Sequence, residues 1–334
     1  MAKSGISWLH ILEALKEADL EFIEAQLPNY PDKHVARALK VSIDFLSSEY
    51  SDAVKRYLEL VIFPKGELVP EAAITTLWAH TGNMKKRNVG KLLIILKNRS
   101  LLRLDGEASN RLISLHDLQF DYLRAKAHDL PSLNNQLLEA YLKDCRTKCS
   151  TGPNDGYFFE HLAYHMKEAG SKEELHLLLL NFEWMRTKLE NVAVIHEKKG
   201  MKIPNVNSLI HDYDYLLDDT EIRFVQSAIK LSYNVILKDK TQLAGQLLGR
   251  LLCFSENGIQ SLLSQASGDR DGVRLLPITS SLKSPGGTVL ELLRDMMIGC
   301  VQLQPHLMES MQFQVPTITH SRYGIWKVER KKQH

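Results

Sequence analysis

A long stretch of helical periodicity constrains the fold of this chain most. Between residues 133 and 254, apolar residues recur every three or four positions almost without a break, which is the period of an amphipathic helix. The expected helices are residues 157–168, 181–190, 208–217, 220–237 and 242–252. The loops between them are short, so successive helices should pack as antiparallel neighbours. The pattern therefore predicts an α-helical bundle or a short α-solenoid.

Two segments depart from this period. Residues 193–205 contain the polar run Glu197-Lys198-Lys199-Gly200 and also Pro204, and we interpret them as a solvated loop. Residues 280–287 are rich in Ser, Pro and Gly and are expected to be a linker. One possible helix, residues 289–303, and a basic tail ending in Arg330-Lys331-Lys332 follow it. We expect that tail to be poorly ordered.

The part of the chain before residue 131 has a different pattern. Two short helices are expected within residues 41–61, and two more over residues 70–80 and 86–98. Residues 101–104 and 111–115 are predicted to be two strands joined by a turn, and a helix should begin near His116. The last three of these four helices, followed by the strand pair, predict a winged-helix domain with a small β-wing.

These patterns predict a mainly α chain with four regions. Residues 1–40 are interpreted as the C-terminal tail of a helical subdomain, because the amphipathic helix expected over residues 7–27 would leave its apolar face uncovered. Residues 41–130 are the winged-helix domain, residues 131–267 are the helical domain, and residues 268–334 are the linker and tail. A chain of 334 residues is long enough for more than one core.

Cysteine usage and the start of the chain indicate a cytoplasmic location. The chain has four cysteines and begins without a signal peptide, which favours free thiols in a reducing compartment. The longest leucine run, over residues 177–180, is far shorter than the roughly 18 apolar residues of a membrane helix. We therefore expect no transmembrane segment.

No nucleotide-binding or catalytic motif is readable. The phosphate loop G-x-x-x-x-G-K-[ST] and the dinucleotide motif G-x-G-x-x-G are both absent from the sequence, so the chain lacks the usual cradle for phosphates. No Ser-His-Asp or Cys-His set has family-specific spacing. The chain is predicted not to be an enzyme and to bind no cofactor alone.

Two constellations have both a functional and a structural interpretation. Cys145, Cys149, His161 and His165 nearly match zinc-finger spacing, but they lie in a helical context without the required hairpin, so packing or surface roles are favoured. A second set of basic residues lies on the helix expected over residues 86–98 and at its ends: Lys85, Lys86, Arg87, Lys91, Lys97 and Arg99. These residues could contact nucleic acid phosphates or form a solvated face.

The strand-to-helix corner over residues 111–124 is the candidate functional site. Ser114 is expected to cap the helix by accepting a hydrogen bond from the Asp117 N–H. The exposed N–H groups of the helix start, together with His116 as a donor, would also suit a phosphate. The two roles are compatible.

A family resemblance centres on this corner. Asn98-Arg99-Ser100-Leu101-Leu102, followed by Leu115-His116-Asp117-Leu118-Gln119-Phe120-Asp121-Tyr122-Leu123, resembles the winged helix of the apoptotic protease-activating type of NB-ARC (STAND) signalling ATPases. The stretches over residues 157–166, 173–175 and 182–185 are similar to the helical domain that follows in this family. The resemblance covers residues 8–254.

The resemblance implies a regulatory role in apoptotic signal transduction. In this family a nucleotide-binding domain precedes the winged helix, and a WD-repeat propeller often follows the helical domain. His116 and Ser100 would approach the β-phosphate of ADP held by a nucleotide-binding domain, and Asp117 would start the helix. The partners that the resemblance implies are these two domains, in a parent protein or in related chains, and, in the full-length context, further copies in a homo-oligomer. A nucleic-acid-binding winged helix and a helical-repeat interaction scaffold remain alternatives.

Overall fold

The computed structural model describes residues 33–107, 110–145, 148–195, 202–269, 274–277, 279–285 and 326–329. Most of them are helical, which confirms the predicted mainly α fold. They divide into two compact units, with the boundary between Ser171 and Lys172. No helix among the described residues is both long and apolar enough to cross a bilayer. The helices expected over residues 7–27 and 289–303, and the basic tail, lie outside the described residues.

The first unit contains seven α-helices and three short strands among the described residues. In chain order they are α1 (Lys33–Glu49), α2 (Ser51–Glu59), β1 (Val69–Pro70), α3 (Glu71–Gly82), α4 (Lys86–Asn98), β2 (Arg103–Asp105), β3 (Leu112–Ser114), α5 (Asp117–Lys126), α6 (Leu130–Cys145) and α7 (Phe158–Ala169). A 3₁₀ turn, Leu60–Ile62, follows α2.

The strands of the first unit form one antiparallel sheet in the order β1-β3-β2. The two predicted wing strands are present, and β1 is an additional strand that pairs Val69 with Ile113. Leu104 and Ile113 are opposite each other in the β2–β3 pair and are both buried. The order of α2, α3, α4, β2 and β3 along the chain is the order that the sequence predicts for these elements.

A buried polar cluster joins α2 to α3 inside the first unit. Arg56 Nη1 lies 2.9 Å from Glu59 Oε2, and Thr81 Oγ1 donates to the same carboxylate oxygen at 2.9 Å. Trp78 is fully buried and donates from Nε1 to the Arg56 carbonyl at 3.1 Å. Burial raises the pKa of Glu59 to about 7, against the opposing charge of Arg56. These contacts fix the position of α2 relative to α3.

The second unit continues the helical pattern. Its helices among the described residues are α8 (Lys172–Leu179), α9 (Phe182–Asn191), α10 (Val206–Tyr213), α11 (Thr220–Lys238), α12 (Leu243–Leu251) and α13 (Asn257–Gly268). Consecutive helices α10 to α13 contact one another in chain order, as the short loops predict. Gly170, just before this unit, is the C-cap of α7 with φ +80°, a left-handed conformation that glycine adopts without a steric penalty.

Two strand pairs occur where the sequence predicts irregular structure. β4 (Ala193–Ile195) and β5 (Lys202–Pro204) pair antiparallel, so the prediction of a simple solvated loop over residues 193–205 is wrong. The hairpin begins where α9 ends, and Asn205 N donates to Val192 O at 2.9 Å. β6 (Arg274–Pro277) pairs with β7 (Trp326–Glu329), so these eight residues are strand within the region predicted to be linker and tail.

An ion pair lies in the interior of the second unit. Lys188 of α9 and Asp212 of α10 have side-chain exposures of 0% and 3%, and Lys188 Nζ is 2.5 Å from Asp212 Oδ2. The neighbouring Tyr213 is also fully buried and donates its hydroxyl to the Leu179 carbonyl at 2.7 Å. Charges taken out of water in this way must remain paired.

Candidate functional site

The strand-to-helix corner is built around His116. Strand β3 ends at Ser114, helix α5 begins at Asp117, and His116 is the N-cap with extended backbone angles. His116 Nδ1 accepts a hydrogen bond from Leu118 N at 3.3 Å. The predicted cap role of Ser114 is therefore wrong, because Ser114 is still in the sheet, paired with Arg103.

Gln119 connects the corner to the end of α4. Its Oε1 accepts from His116 N at 2.9 Å, which completes a capping box. Its Nε2 donates to the Ser100 carbonyl at 2.6 Å. The two predicted sensor residues, His116 and Ser100, are thus brought together by a third residue. The sequence reasoning missed Gln119, although its position three residues after the cap is the capping-box signal.

Ser100 has an unusual backbone conformation for a non-glycine residue. Its φ is +58°, in the left-handed region that residues with a Cβ seldom adopt. Ser100 N donates to Lys97 O at 2.9 Å, and Leu101 N donates to Leu96 O at 3.0 Å. This pair of bonds is the Schellman motif that ends helix α4. The motif fixes the Ser100 carbonyl where Gln119 can reach it.

The surface chemistry of the corner follows from the cap. Because Nδ1 of His116 accepts from a backbone N–H, a neutral imidazole carries its proton on Nε2. His116, Ser100 and Asp117 are all exposed. The imidazole N–H and the Ser100 hydroxyl are donors suited to an anion's oxygens, whereas the Asp117 carboxylate favours the helix start and would repel an anion. The corner can offer donors to a phosphate but supplies no full binding site.

A cation and a small apolar cavity lie beside the corner. Lys65 Nζ donates a hydrogen bond of 2.7 Å to Asp121 Oδ1, and this bond to the carboxylate raises the pKa of Lys65. The cavity has a volume of about 20 Å³, is bordered by Phe63, Ile113 and Phe120, and has room for a water molecule but not for a nucleotide base. This cavity is therefore too small to hold a nucleotide.

The zinc-finger spacing does not assemble a site around His165. This residue is 2% exposed, and its Nδ1 lies 2.7 Å from Asn134 Oδ1 while its Nε2 lies 2.8 Å from the Tyr157 hydroxyl. Both ring nitrogens are therefore engaged within the protein. Burial, with a smaller contribution from His161, lowers the pKa of His165 to about 3. The ring is a neutral member of a core network.

The basic residues around α4 stay at the surface. Lys85, Lys86, Arg87, Lys91 and Lys97 are exposed, whereas the opposite side of the helix is core, formed by Val89, Leu92, Leu93 and Leu96. Both the solvated-face interpretation and phosphate contact are compatible with that exposure.

Substitution of Gln119 tests how the corner is held together. Gln119→Ala removes the bonds to His116 N and Ser100 O, and we expect a loss of about 1 kcal/mol in the free energy of unfolding. Gln119→Glu keeps an acceptor for His116 N but has no donor for the Ser100 carbonyl. The loss of unfolding free energy for Gln119→Glu should therefore lie between zero and the loss for Gln119→Ala. Urea unfolding and amide exchange at His116 measure it. Equal stability of Gln119→Ala and the unsubstituted chain would contradict this arrangement.

Comparison with known proteins supports the resemblance stated above. Residues 130–213 match the family described as the APAF-1 helical domain. The chain is 26% identical over 249 residues to apoptotic protease-activating factor 1 of Rattus norvegicus and of Homo sapiens, covering 73% of this chain and 18% of each relative. The Danio rerio protein is 24% identical over 192 residues, covering 57% of this chain and 15% of the relative.

The matched segments fall on the elements described above. The helical-domain match begins at the start of α6 and ends with α10, so it includes the His165 network and the Lys188–Asp212 pair. The chain spans less than a fifth of the length of these relatives. We conclude that the chain is similar to a portion of the apoptotic protease-activating factors that includes their APAF-1 helical domain.

Proposed function

We propose that this chain is a non-catalytic regulatory module of an apoptosis-type NB-ARC signalling ATPase. In this proposal the winged-helix part reports on ADP held by a nucleotide-binding domain, and the helical domain is the arm towards a WD-repeat sensor. Similarity to the apoptotic protease-activating factors supports the regulatory role. The nucleotide-binding domain belongs to a parent protein or to a related chain, in the cytoplasm, where full-length copies oligomerise after ADP release.

The observation that carries the sensing role is the hydrogen bond from Leu118 N to His116 Nδ1. It places the imidazole proton on Nε2, the ring nitrogen remote from the helix backbone. Gln119 holds the Ser100 end of α4 against the same corner. An ADP phosphate presented from outside would thus meet a fixed imidazole donor, with the Ser100 hydroxyl as a second one, at the positive end of α5.

Titration with fluorescent ADP tests this proposal. ADP should bind more tightly to a mixture of this chain with an NB-ARC nucleotide-binding domain than to either protein alone. His116→Ala should reduce this increase in ADP affinity about tenfold, the effect expected from the loss of one hydrogen bond to a charged phosphate. The readout is fluorescence anisotropy of the bound nucleotide.

A second variant separates sensing from helix capping. Asparagine is a good N-cap, so His116→Asn should keep the stability of the fold but lose the imidazole donor and the gain in ADP affinity. His211→Ala, at an exposed histidine of the second unit paired with Asp214, should leave ADP affinity unchanged. An undiminished gain with both His116→Ala and His116→Asn would overturn the sensing role.

A further inference from the structure

Three ligand-type side chains converge in the second unit, at the end of α8 and the start of α11. His176 lies in the last turn of α8, Asp219 is the N-cap of α11, and Glu221 is in its first turn. His176 Nε2 is 3.3 Å from Asp219 Oδ2 and 3.4 Å from Glu221 Oε2. One imidazole nitrogen and one oxygen from each carboxylate lie within 4.8 Å of one another.

Each carboxylate is oriented by a backbone amide on its other oxygen. Asp219 Oδ1 accepts from Ile222 N at 3.1 Å, and Glu221 Oε1 accepts from Gly258 N at 2.8 Å. The remaining oxygens are the ones that face His176. Supporting hydrogen bonds of this kind hold carboxylate ligands in place at metal sites.

Gly258 leaves the space that Glu221 occupies. A Cβ at position 258 would collide with Glu221 Oε2 and with the side chain of Leu180. The start of α13 therefore approaches the carboxylate closely enough to donate its amide only because residue 258 has no side chain. Three separate segments of the unit contribute to this arrangement.

The two distances from His176 Nε2 are compatible with ligands of one metal ion. A charge-assisted N–H···O bond is about 2.7–2.9 Å long, shorter than both distances from His176 Nε2. Ligands about 2.05 Å from a tetrahedral zinc are separated by about 3.3–3.4 Å, which agrees with both. The exposures of 29%, 37% and 20% for His176, Asp219 and Glu221 leave one side open to solvent.

We propose that His176, Asp219 and Glu221 bind a divalent transition metal ion with the coordination of zinc. His176 Nε2, Asp219 Oδ2 and Glu221 Oε2 are the three protein ligands, and water takes the fourth position. The two carboxylates and a neutral imidazole carry a charge that a divalent cation cancels. The ion would cross-link α8 to the start of α11. The proposed metal site does not depend on the proposed nucleotide role.

Metal titration of the full chain tests the site. Zn²⁺ should bind with one ion per chain and raise the Tm, since a ligand that binds only the folded state stabilises it. Co²⁺ should give the intense visible absorption of a tetrahedral centre. His176→Ala should weaken Zn²⁺ binding by about 100-fold or more, since even supporting residues of metal sites contribute about 10–100-fold.

The carboxylate variants are chosen to preserve the fold. Asp219→Asn retains an N-cap, and Glu221→Gln retains an acceptor for Gly258 N. Each variant removes a charged ligand, so each should weaken Zn²⁺ binding. The Tm of the metal-free variants should stay close to that of the parent chain. His211→Ala, at a histidine that pairs with a single carboxylate, is the matched control and should bind normally.

The cysteines are the competing source of zinc affinity. A Cys145→Ser/Cys149→Ser chain should keep the one-ion stoichiometry and the Tm rise if the proposed site is correct. Zinc binding that survives His176→Ala but disappears in the cysteine double variant would overturn the proposal. Absence of a Tm rise and of a tetrahedral Co²⁺ spectrum in the parent chain would overturn it as well.

Discussion

Lys188→Met is expected to lower the free energy of unfolding by about 3–5 kcal/mol. The substitution leaves the Asp212 carboxylate without its cation in an environment where the side chain is 3% exposed. Methionine fills a similar volume, so the loss reports the unpaired charge more than a cavity. Equilibrium unfolding in urea, followed by far-ultraviolet circular dichroism, measures it.

Two further variants separate the buried pair from lysine substitution in general. Lys188→Met combined with Asp212→Leu removes both charges and should recover most of the loss, because apolar pairs often replace buried ion pairs without cost. Lys240→Met breaks the exposed pair with Glu190, whose ionic groups are 4.0 Å apart, and should change stability by less than about 1 kcal/mol. Equal losses for Lys188→Met and Lys240→Met would show that the buried pair has no special role.

The second large effect is a loss of stability in mild acid caused by His165. The pKa of this residue is about 3 in the folded chain and about 6.5 in an unfolded one, so only the unfolded state binds the proton between these values. The stability associated with the neutral ring is complete above pH 6.5 and is lost as the pH falls towards 3. Between pH 7 and 5, the contribution of His165 should fall by about 2 kcal/mol.

The hydrogen bonds of His165 explain why stability falls as the pH falls. The neutral ring donates from Nδ1 to Asn134 Oδ1 and accepts at Nε2 from the Tyr157 hydroxyl, whereas a protonated ring has no acceptor left for that hydroxyl. His165→Gln removes the titration, so its unfolding free energy should change less over this pH range. His211→Ala should retain the acid sensitivity of the parent chain. An identical pH dependence for His165→Gln and the parent would refute this assignment.

Most of the helices could be predicted from the sequence, because apolar spacing records which face is buried. Phe158, Leu162 and Met166, for example, are all buried on α7. The short strands are harder to predict. β1 has two residues, Val69–Pro70, too few for any alternation to show. β4 and β5 are held by pairing with each other, and the polar sequence between them gives no sign of that pairing.

The candidate site could be located from the sequence but not assembled. The change from strand to helix is visible in the sequence, and serine, a common N-cap, predicts a cap at Ser114. Sheet pairing extends to Ser114, so the N-cap is His116 instead. The contact between Gln119 and Ser100 spans 19 positions and depends on how α4 ends. The regulatory interpretation of His116, Ser100 and Asp117 stays a prediction.

Sequence spacing is a poor guide to metal ligands in this chain. His165 has the spacing of a zinc ligand, but its two nitrogens are used by Asn134 and Tyr157. His176 and Glu221 are 45 positions apart, so no short motif marks them. They come together only because α8 packs beside the start of α11, and this proximity cannot be predicted from the local sequence.

The hairpin of β4 and β5 also affects how this region can diverge among relatives. Val192, the C-cap of α9, and Asn205, the N-cap of α10, are joined directly by a backbone hydrogen bond of 2.9 Å. The ends of the intervening segment therefore stay together whatever its length. Doubling the length of a flexible connection costs only about 0.6 kcal/mol. Residues can thus be gained or lost between these two positions while the helices on either side keep their packing.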